Sequence, residues 1–198
     1  MLDLIVPNSD KFYGRVRACR SGNGRCWEPA TEWKRNTIVF EWGAIIGPLL
    51  TLGERKYRIG GMYLEFENVV SPGTPVTIPT YDRTRSIAYY NSLSGSARRD
   101  YLRVPIIAST FESSNAEQFP NGNLPTFLAR SQGVQGVHGK QFGVSYNSVV
   151  FGASLVAMVD EADATQDLIF STFYFDTADQ QAVLPTSQLG IDWELTLG

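Results

Sequence analysis

The chain has 198 residues, 43% of them hydrophobic and 19% charged, with a net charge of −3. Those values describe one globular domain with a core of ordinary size and exclude a disordered or low-complexity chain. The charge is divided along the sequence: residues 1–140 hold all 17 Lys and Arg against 12 acids, a balance of +5, while the last 58 residues hold eight acids and no base, −8.

Leu2–Pro7 is the only apolar stretch at the N-terminus and is interrupted by Asp3 and Pro7, so no signal peptide is expected. Val149–Val159, the longest apolar run, falls short of the ~20 residues of a membrane span. The expectation is a soluble protein made in a cytoplasm. The 12% aromatic content, 18 Gly and 10 Pro favour strands and turns over helices.

Residues 1–35 are the basic part: Lys11, Arg15, Arg17, Arg20, Arg25, Lys34 and Arg35 face Asp3, Asp10, Glu28 and Glu32. Within it, Phe12–Arg20 and Arg25–Glu28 flank Ser21-Gly22-Asn23-Gly24, which predicts a β-hairpin. A Gly22-Asn23 turn would pair Arg20 with Arg25, Cys19 with Cys26, Ala18 with Trp27 and Arg17 with Glu28. Cys19 and Cys26 would then lie within reach of a disulfide if oxidised, and a cytoplasm favours the free thiols.

Thr37–Trp42 is β-rich, and Gly43–Leu52 fits either a short helix or a buried extended segment. Tyr57–Val70 is the clearest strand, with Met62, Leu64 and Phe66 on one face and Tyr63, Glu65 and Glu67 on a wet one. Ser71–Pro79 reads as a loop or edge. Asp82 is placed as the N-cap of a short helix ending at Leu93, with Ile87, Tyr90 and Leu93 inward. Tyr101–Thr110 is a strand in which Pro105 calls for an edge or a bulge.

Glu112–Asn123 is polar loop, Leu124–Ala129 a short strand, and Gly133–Gly143 a glycine-spaced stretch. Val144–Val159, Leu168–Phe175 and Leu189–Leu197 complete the strands. Leu168–Phe175 is apolar on both faces and reads as a central strand. In the last strand Ile191, Trp193, Leu195 and Leu197 alternate with Asp192, Glu194 and Thr196, predicting one core face and one wet face. Strands without a βαβ rhythm predict an antiparallel β-sandwich, jelly-roll-like, with one short helix: a hairpin arm over 1–35 and a sandwich domain over 36–198.

The chemistry-bearing residues point away from catalysis. His138 is the one histidine, and it sits in Gly136-Val137-His138-Gly139-Lys140, a loop without a nucleophile motif. One His and two Cys do not supply a zinc ligand set, and Glu65/Glu67 and Asp160/Glu161/Asp163 lack the spacing of a calcium loop. No two acids are singled out as a glycosidase pair, and the Gly133 stretch lacks the context of a phosphate loop. No metal, no cofactor and no enzymatic activity are expected. Arg15, Arg17, Arg20 and Arg25, interleaved with Trp27 and Trp33, are the expected contact residues for assembly. A pI near 5.2 argues against a dedicated nucleic-acid binder.

Several stretches together, among them Trp42-Gly43-Ala44-Ile45-Ile46-Gly47, Lys56-Tyr57-Arg58-Ile59-Gly60-Gly61, Tyr89-Tyr90-Asn91-Ser92-Leu93, Asp100-Tyr101-Leu102-Arg103-Val104-Pro105, Gly136-Val137-His138-Gly139-Lys140, Asp167-Leu168-Ile169-Phe170-Ser171 and Gln188-Leu189-Gly190-Ile191-Asp192-Trp193-Glu194-Leu195, resemble small structural proteins encoded beside the tail and fibre genes of tailed bacteriophages. The resemblance covers most of residues 36–198 and carries no site residues. It implies a virion protein, tail- or fibre-associated or decorating the capsid, made in the host cytoplasm. Such a protein would dock multivalently on other virion proteins and on copies of itself, the basic arm of one copy meeting the acidic face of the next. The rival expectation is a carbohydrate-binding β-sandwich that recognises a host glycan by stacking Tyr63, Tyr89 or Tyr90.

Overall fold

The computed structural model describes residues 12–53, 56–68, 76–80, 83–93, 99–112, 126–136, 143–144 and 148–197. In chain order the elements are β1 (Phe12–Ser21), β2 (Glu28–Pro29), β3 (Lys34–Arg35), β4 (Thr37–Ile38), α1 (Trp42–Leu52), β5 (Arg58–Asn68), α2 (Ile87–Leu93), β6 (Arg99–Glu112), β7 (Thr126–Ser131), β8 (Gln135–Gly136), β9 (Gly143–Val144), β10 (Ser148–Met158), β11 (Leu168–Tyr174), β12 (Gln181–Ala182) and β13 (Gln188–Leu197). The protein is mainly β, as expected. The strands follow one path, β2-β1-β13-β7-β6-β5-β10-β11-β4, antiparallel at each join and curled into half a barrel.

Two devices produce the curl. β6 is shared: Arg99–Pro105 pair with β5, Ile106–Glu112 pair with β7, and the register breaks between Ile106 and Ala108. Pro105 sits at that break, where a residue unable to donate to a ladder is tolerated. At the far ends, segment 34–38 ties one edge to the other, β3 pairing with β1 and β4 with β11. Asn36 lies between them; its N–H donates to Gly14 O at 3.0 Å and its Nδ2 to Ser171 Oγ at 2.8 Å. A Cβ on Gly14 would meet that side chain at 2.5 Å and Glu194 O at 2.8 Å, so the strap closes only over a glycine.

Val16 and Ala18, Met62 and Leu64, Ala153 and Leu155, and Ile191, Trp193 and Leu195 fill the inside of the curl. A second cluster, Tyr63, Tyr90, Val156, Met158, Ile169 and Val39, lies outside the β5–β10–β11 half under α2. β10 is buried at all of its residues, since it has a core on each face.

Several expectations are corrected. The hairpin register is different: β2 sets Cys19 opposite Pro29 and Arg20 opposite Glu28, in place of Cys26 and Arg25. The chain turns through a loop over 22–27, in which Asn23 Oδ1 accepts from Arg25 N at 2.9 Å and Cys26 N at 3.1 Å. The positive φ falls on Gly24, +71°, and Cys19 and Cys26 are both free. The main partner of β1 is β13, along all ten residues, so residues 12–21 lie inside the sheet. Gly43–Leu52 resolves to helix, closed by Gly53 at φ +67°. The expected helix before Leu93 is α2, with Tyr90 buried; Asp82 lies outside the described residues, as do most of Glu112–Asn123 and the loop around His138.

Trp193 is fully buried in the core cluster. Trp193→Ala is expected to cost about 3–5 kcal/mol, a large share of the ~5–15 kcal/mol of a domain, and to yield poorly folded protein by circular dichroism. Glu194→Gln, which loosens a half-exposed pair, is expected to cost about 1 kcal/mol or less on the same melting curve. Removing residues 1–35 strips β1 from β13, and the truncated chain is expected to show no cooperative melt; a normal melt would show that β13 holds without its partner.

Candidate functional site

The outer face of the β1–β13–β7–β6 half carries most of the residues expected to make contacts. On β13 the apolar residues face the core, so Asp192 and Glu194 point outward. Register then lines up two cross-strand rows. One runs Arg17, Asp192, Arg130, Ala108; the other runs Arg15, Glu194, Leu128, Thr110.

Arg15 grips Glu194 with two bonds, 2.6 and 2.9 Å. Asp192 accepts from Arg130 at 2.6 and 2.8 Å, from Arg17 Nε at 3.1 Å and from the Cys19 thiol at 3.0 Å. The expected wet face is therefore corrected: Asp192 is 6% exposed and Glu194 9%, because β13 is flanked on both sides by arginine-bearing strands. Trp33 lies 4.4 Å from the Arg17 guanidinium and 5.0 Å from that of Arg15, while Trp27 lies 5.4 Å from Arg130. Trp27 also covers Gly133 and Gly190, where any Cβ would strike its ring at 2.7 Å. Arg17, Trp33, Arg130 and the acids border a shallow groove whose floor is Ala108, Ser109, Thr110, Leu128 and Ala129.

The remaining candidates are dispersed. Arg20 points to another side, donating to Ala182 O at 2.7 Å and Gln181 Oε1 at 3.2 Å, which fastens β1 to β12. Burial lowers its guanidinium from the ordinary value. Arg25 is exposed in the loop.

The charge division along the sequence is largely consumed inside the fold. Of the eight C-terminal acids, Glu161, Asp167, Asp176, Asp179, Asp192 and Glu194 form ion pairs with Arg58, Arg103, Lys34, Arg17, Arg130 and Arg15. These pairs join distant parts of one chain. The exposed ones, Arg58–Glu161 among them, contribute little. Arg103–Asp167, at 2.7 Å with the carboxylate fully buried, is the kind that costs most to break.

A second polar cluster lies under α2. Glu65 is fully buried and accepts from Tyr90 and Tyr89 hydroxyls, both at 2.9 Å; Tyr174 hydroxyl lies at 3.5 Å and Arg85 bonds to it. Burial raises the Glu65 carboxyl, against the pull of the Arg85 charge and the phenol donors. Tyr63 hydroxyl donates to Asp167 at 2.6 Å beside Arg103. The reading of Tyr63, Glu65 and Glu67 as a solvated face is thus corrected: all three are 2% exposed or less, Tyr63 and Glu65 lying under the tyrosines of α2 and Glu67 held by the Arg99 guanidinium at 2.6 Å.

Among the described residues no three His, Cys, Asp or Glu come together as a metal site, and His138 lies outside them. Cys19 is a poor nucleophile: burial, then its bond to Asp192, pushes the thiol up to about 12. The two clusters hold ion pairs and phenols in hydrogen-bonded contact. Comparison with known proteins adds no relative: no family model, curated protein or solved structure matches the chain. One signal for the ladder was present in the sequence: arginines at 15 and 17 and acids at 192 and 194 share the period of two that antiparallel pairing needs.

Two measurements follow from this geometry. Burial would raise the Asp192 carboxyl, but Arg130, Cys19 and Arg17 together hold it below its ordinary 3.8. A depressed carboxyl contributes stability that is complete above the ordinary value and lost as pH falls through the folded one. Asp192→Asn is expected to lose on the order of 3 kcal/mol near neutrality, at the low end for a broken pair because both arginines keep contact with water. Its melting temperature should begin to converge on the parent's as pH falls below about 4 and meet it once the folded carboxyl is protonated; a gap that does not narrow down to about pH 2 would place the stabilisation elsewhere. With a thiol reagent at neutral pH, exposed Cys26 is expected to react in the native protein and Cys19 only on unfolding.

Proposed function

We propose that the chain is a structural protein of a tailed-phage virion, tail- or fibre-associated or capsid-decorating, that works by protein–protein docking. The observation that carries the reading is α1 with Phe40. α1 has no charged residue, and none of its described side chains is buried; Leu52 is 69% exposed and the preceding Phe40 64%. A helix apolar all round is ordinarily covered on every side; here Trp42 and Ile45 pack against the core while Phe40 and Leu52 face solvent, an exposure that suits an interaction surface. The family resemblance points the same way.

Docking to other virion proteins and to further copies of the chain would draw on this apolar surface and on multiplicity. The charge matching described above lies within one chain, so the attraction between basic arm and acidic face has fewer free charges to use. The glycan-stacking alternative loses two of its three tyrosines, since Tyr63 and Tyr90 are fully buried and Tyr89 is partly covered by Arg85 at 3.5 Å.

Mass spectrometry of gradient-purified particles from the source lysate tests the setting. The chain is expected to travel with the particles; recovery only from the soluble fraction would overturn the reading. The double substitution Phe40→Ser and Leu52→Ser is expected to leave the melting curve nearly unchanged and to reduce particle incorporation and any self-association seen by light scattering.

A further inference from the structure

We infer that the open edge of β6, Ile107–Thr110, is a strand-addition site for an extended segment of a partner protein, one that sets an acidic side chain beside Arg130. The inference rests on the edge and the ladder alone, so it stands or falls separately from the virion setting.

β5 stops pairing with β6 at Gly61 opposite Pro105. Past that point β6 keeps β7 on one side, and no strand lies on the other among the described residues. Ile107 is 52% exposed, and Ala108, Ser109 and Thr110 are exposed. Along an antiparallel pair, alternate residues aim their N–H and C=O away from the partner strand, so the outward groups of this stretch face no strand among the described residues. Ile106–Thr110 contains no charge and no proline, the usual guards of a free edge; the bulge after Pro105 marks only its start. An extended segment gains main-chain hydrogen bonds there, and its alternate side chains read whatever lies beside the edge.

The neighbouring rows decide which side chains fit. Across the sheet the first row alternates in charge, Arg17, Asp192, Arg130, and ends at the small Ala108 on the open edge. Arg130 commits Nε and Nη2 to Asp192 and remains 28% exposed. An acid on the added strand opposite Ala108 reaches back over that methyl to Arg130 and continues the alternation. The second row ends at Leu128 and Thr110, where a Thr or Val fits. A second copy of this edge is disfavoured, because Ile107–Thr110 brings no acid and two-fold pairing would bring two Arg130 side chains toward each other.

The test uses the full-length protein labelled with nitrogen-15 and three probes. These are acetyl-Thr-Val-Asp-Val-Thr-Val-amide, the same peptide with Lys for Asp, and the Asp peptide N-methylated at alternate residues. The Asp peptide is expected to shift the amide signals of 107–110 saturably and to slow their hydrogen exchange. The Lys peptide is expected to bind about five- to tenfold more weakly at low salt, and the N-methylated one not at all. In Arg130→Gln the Asp–Lys difference is expected to shrink while the Asp peptide still binds the edge. If that variant fails to fold, the three probes on the parent protein carry the test. Shifts confined to other residues, or equal binding of the N-methylated peptide, would overturn strand addition. Concentration-dependent protection of 107–110 without peptide would assign the edge to a second copy and overturn the partner.

Discussion

The placement of β13 between β1 and β7 is the constraint on which the rest depends. β13 pairs with β1 over ten residues and with β7 over five, so one half of the sheet is joined through the end of the sequence. Two codes act on it at once. Ile191, Trp193 and Leu195 must face the core, and Asp192 and Glu194 must face arginines on either side. A one-residue slip would turn Trp193 to solvent and bury two carboxylates without partners, at several kcal/mol each. Apolar and ionic patterns therefore specify the same register. Because β1 and β13 lie at opposite ends of the sequence, that register is fixed only by a long-range closure, which implies slow folding relative to a helical chain of this size.

The faces of most strands were legible in the sequence, and their surroundings were not. Alternation separated Ile191, Trp193 and Leu195 from Asp192 and Glu194, and Met62 and Leu64 from Tyr63 and Glu65. Calling the polar faces wet was the error, and its cause is physical. Whether a carboxylate meets water or an arginine depends on which strand lies next to it, and for Asp192 those neighbours are Arg17 and Arg130, far away in sequence. Glu65 is hidden for the same reason: α2 brings Tyr89 and Tyr90 over it, and Tyr174 comes from β11. The hairpin failed on a local point. Asn23 caps two downstream amides with its side chain, which opens the turn into a loop and shifts β2 by three residues.

The six residues read from the arm as assembly contacts do not share one place in the fold. Arg15, Arg17, Trp27 and Trp33 do meet on one face, since a period of two places 15 and 17 together and both tryptophans come from the segment folded back along β1. Arg20, which the same parity would not admit to that row, turns to β12 instead. What no composition could show is that the arginines arrive already paired. Arginine clusters with tryptophan suggest an anionic partner when seen in sequence; with Asp192 and Glu194 inserted between them, they form a rigid, nearly neutral lattice.

That neutrality bears on where binding energy can come from. A chain with +5 in one part and −8 in the other looks polar, yet antiparallel topology lays the last strands against the first and cancels much of the field locally. Exposed ion pairs that remain at the rim contribute little and weaken with salt. The surfaces proposed for binding accordingly draw mainly on uncharged groups: the apolar α1 with Phe40, and the outer edge of β6 beyond Pro105. α1 packs beside β11 and the bare part of β6 beside β7, on different halves of the sheet. The surface proposed for docking is apolar and the edge proposed for strand addition is made of backbone hydrogen-bonding groups, so the two would take neighbours of unlike chemistry.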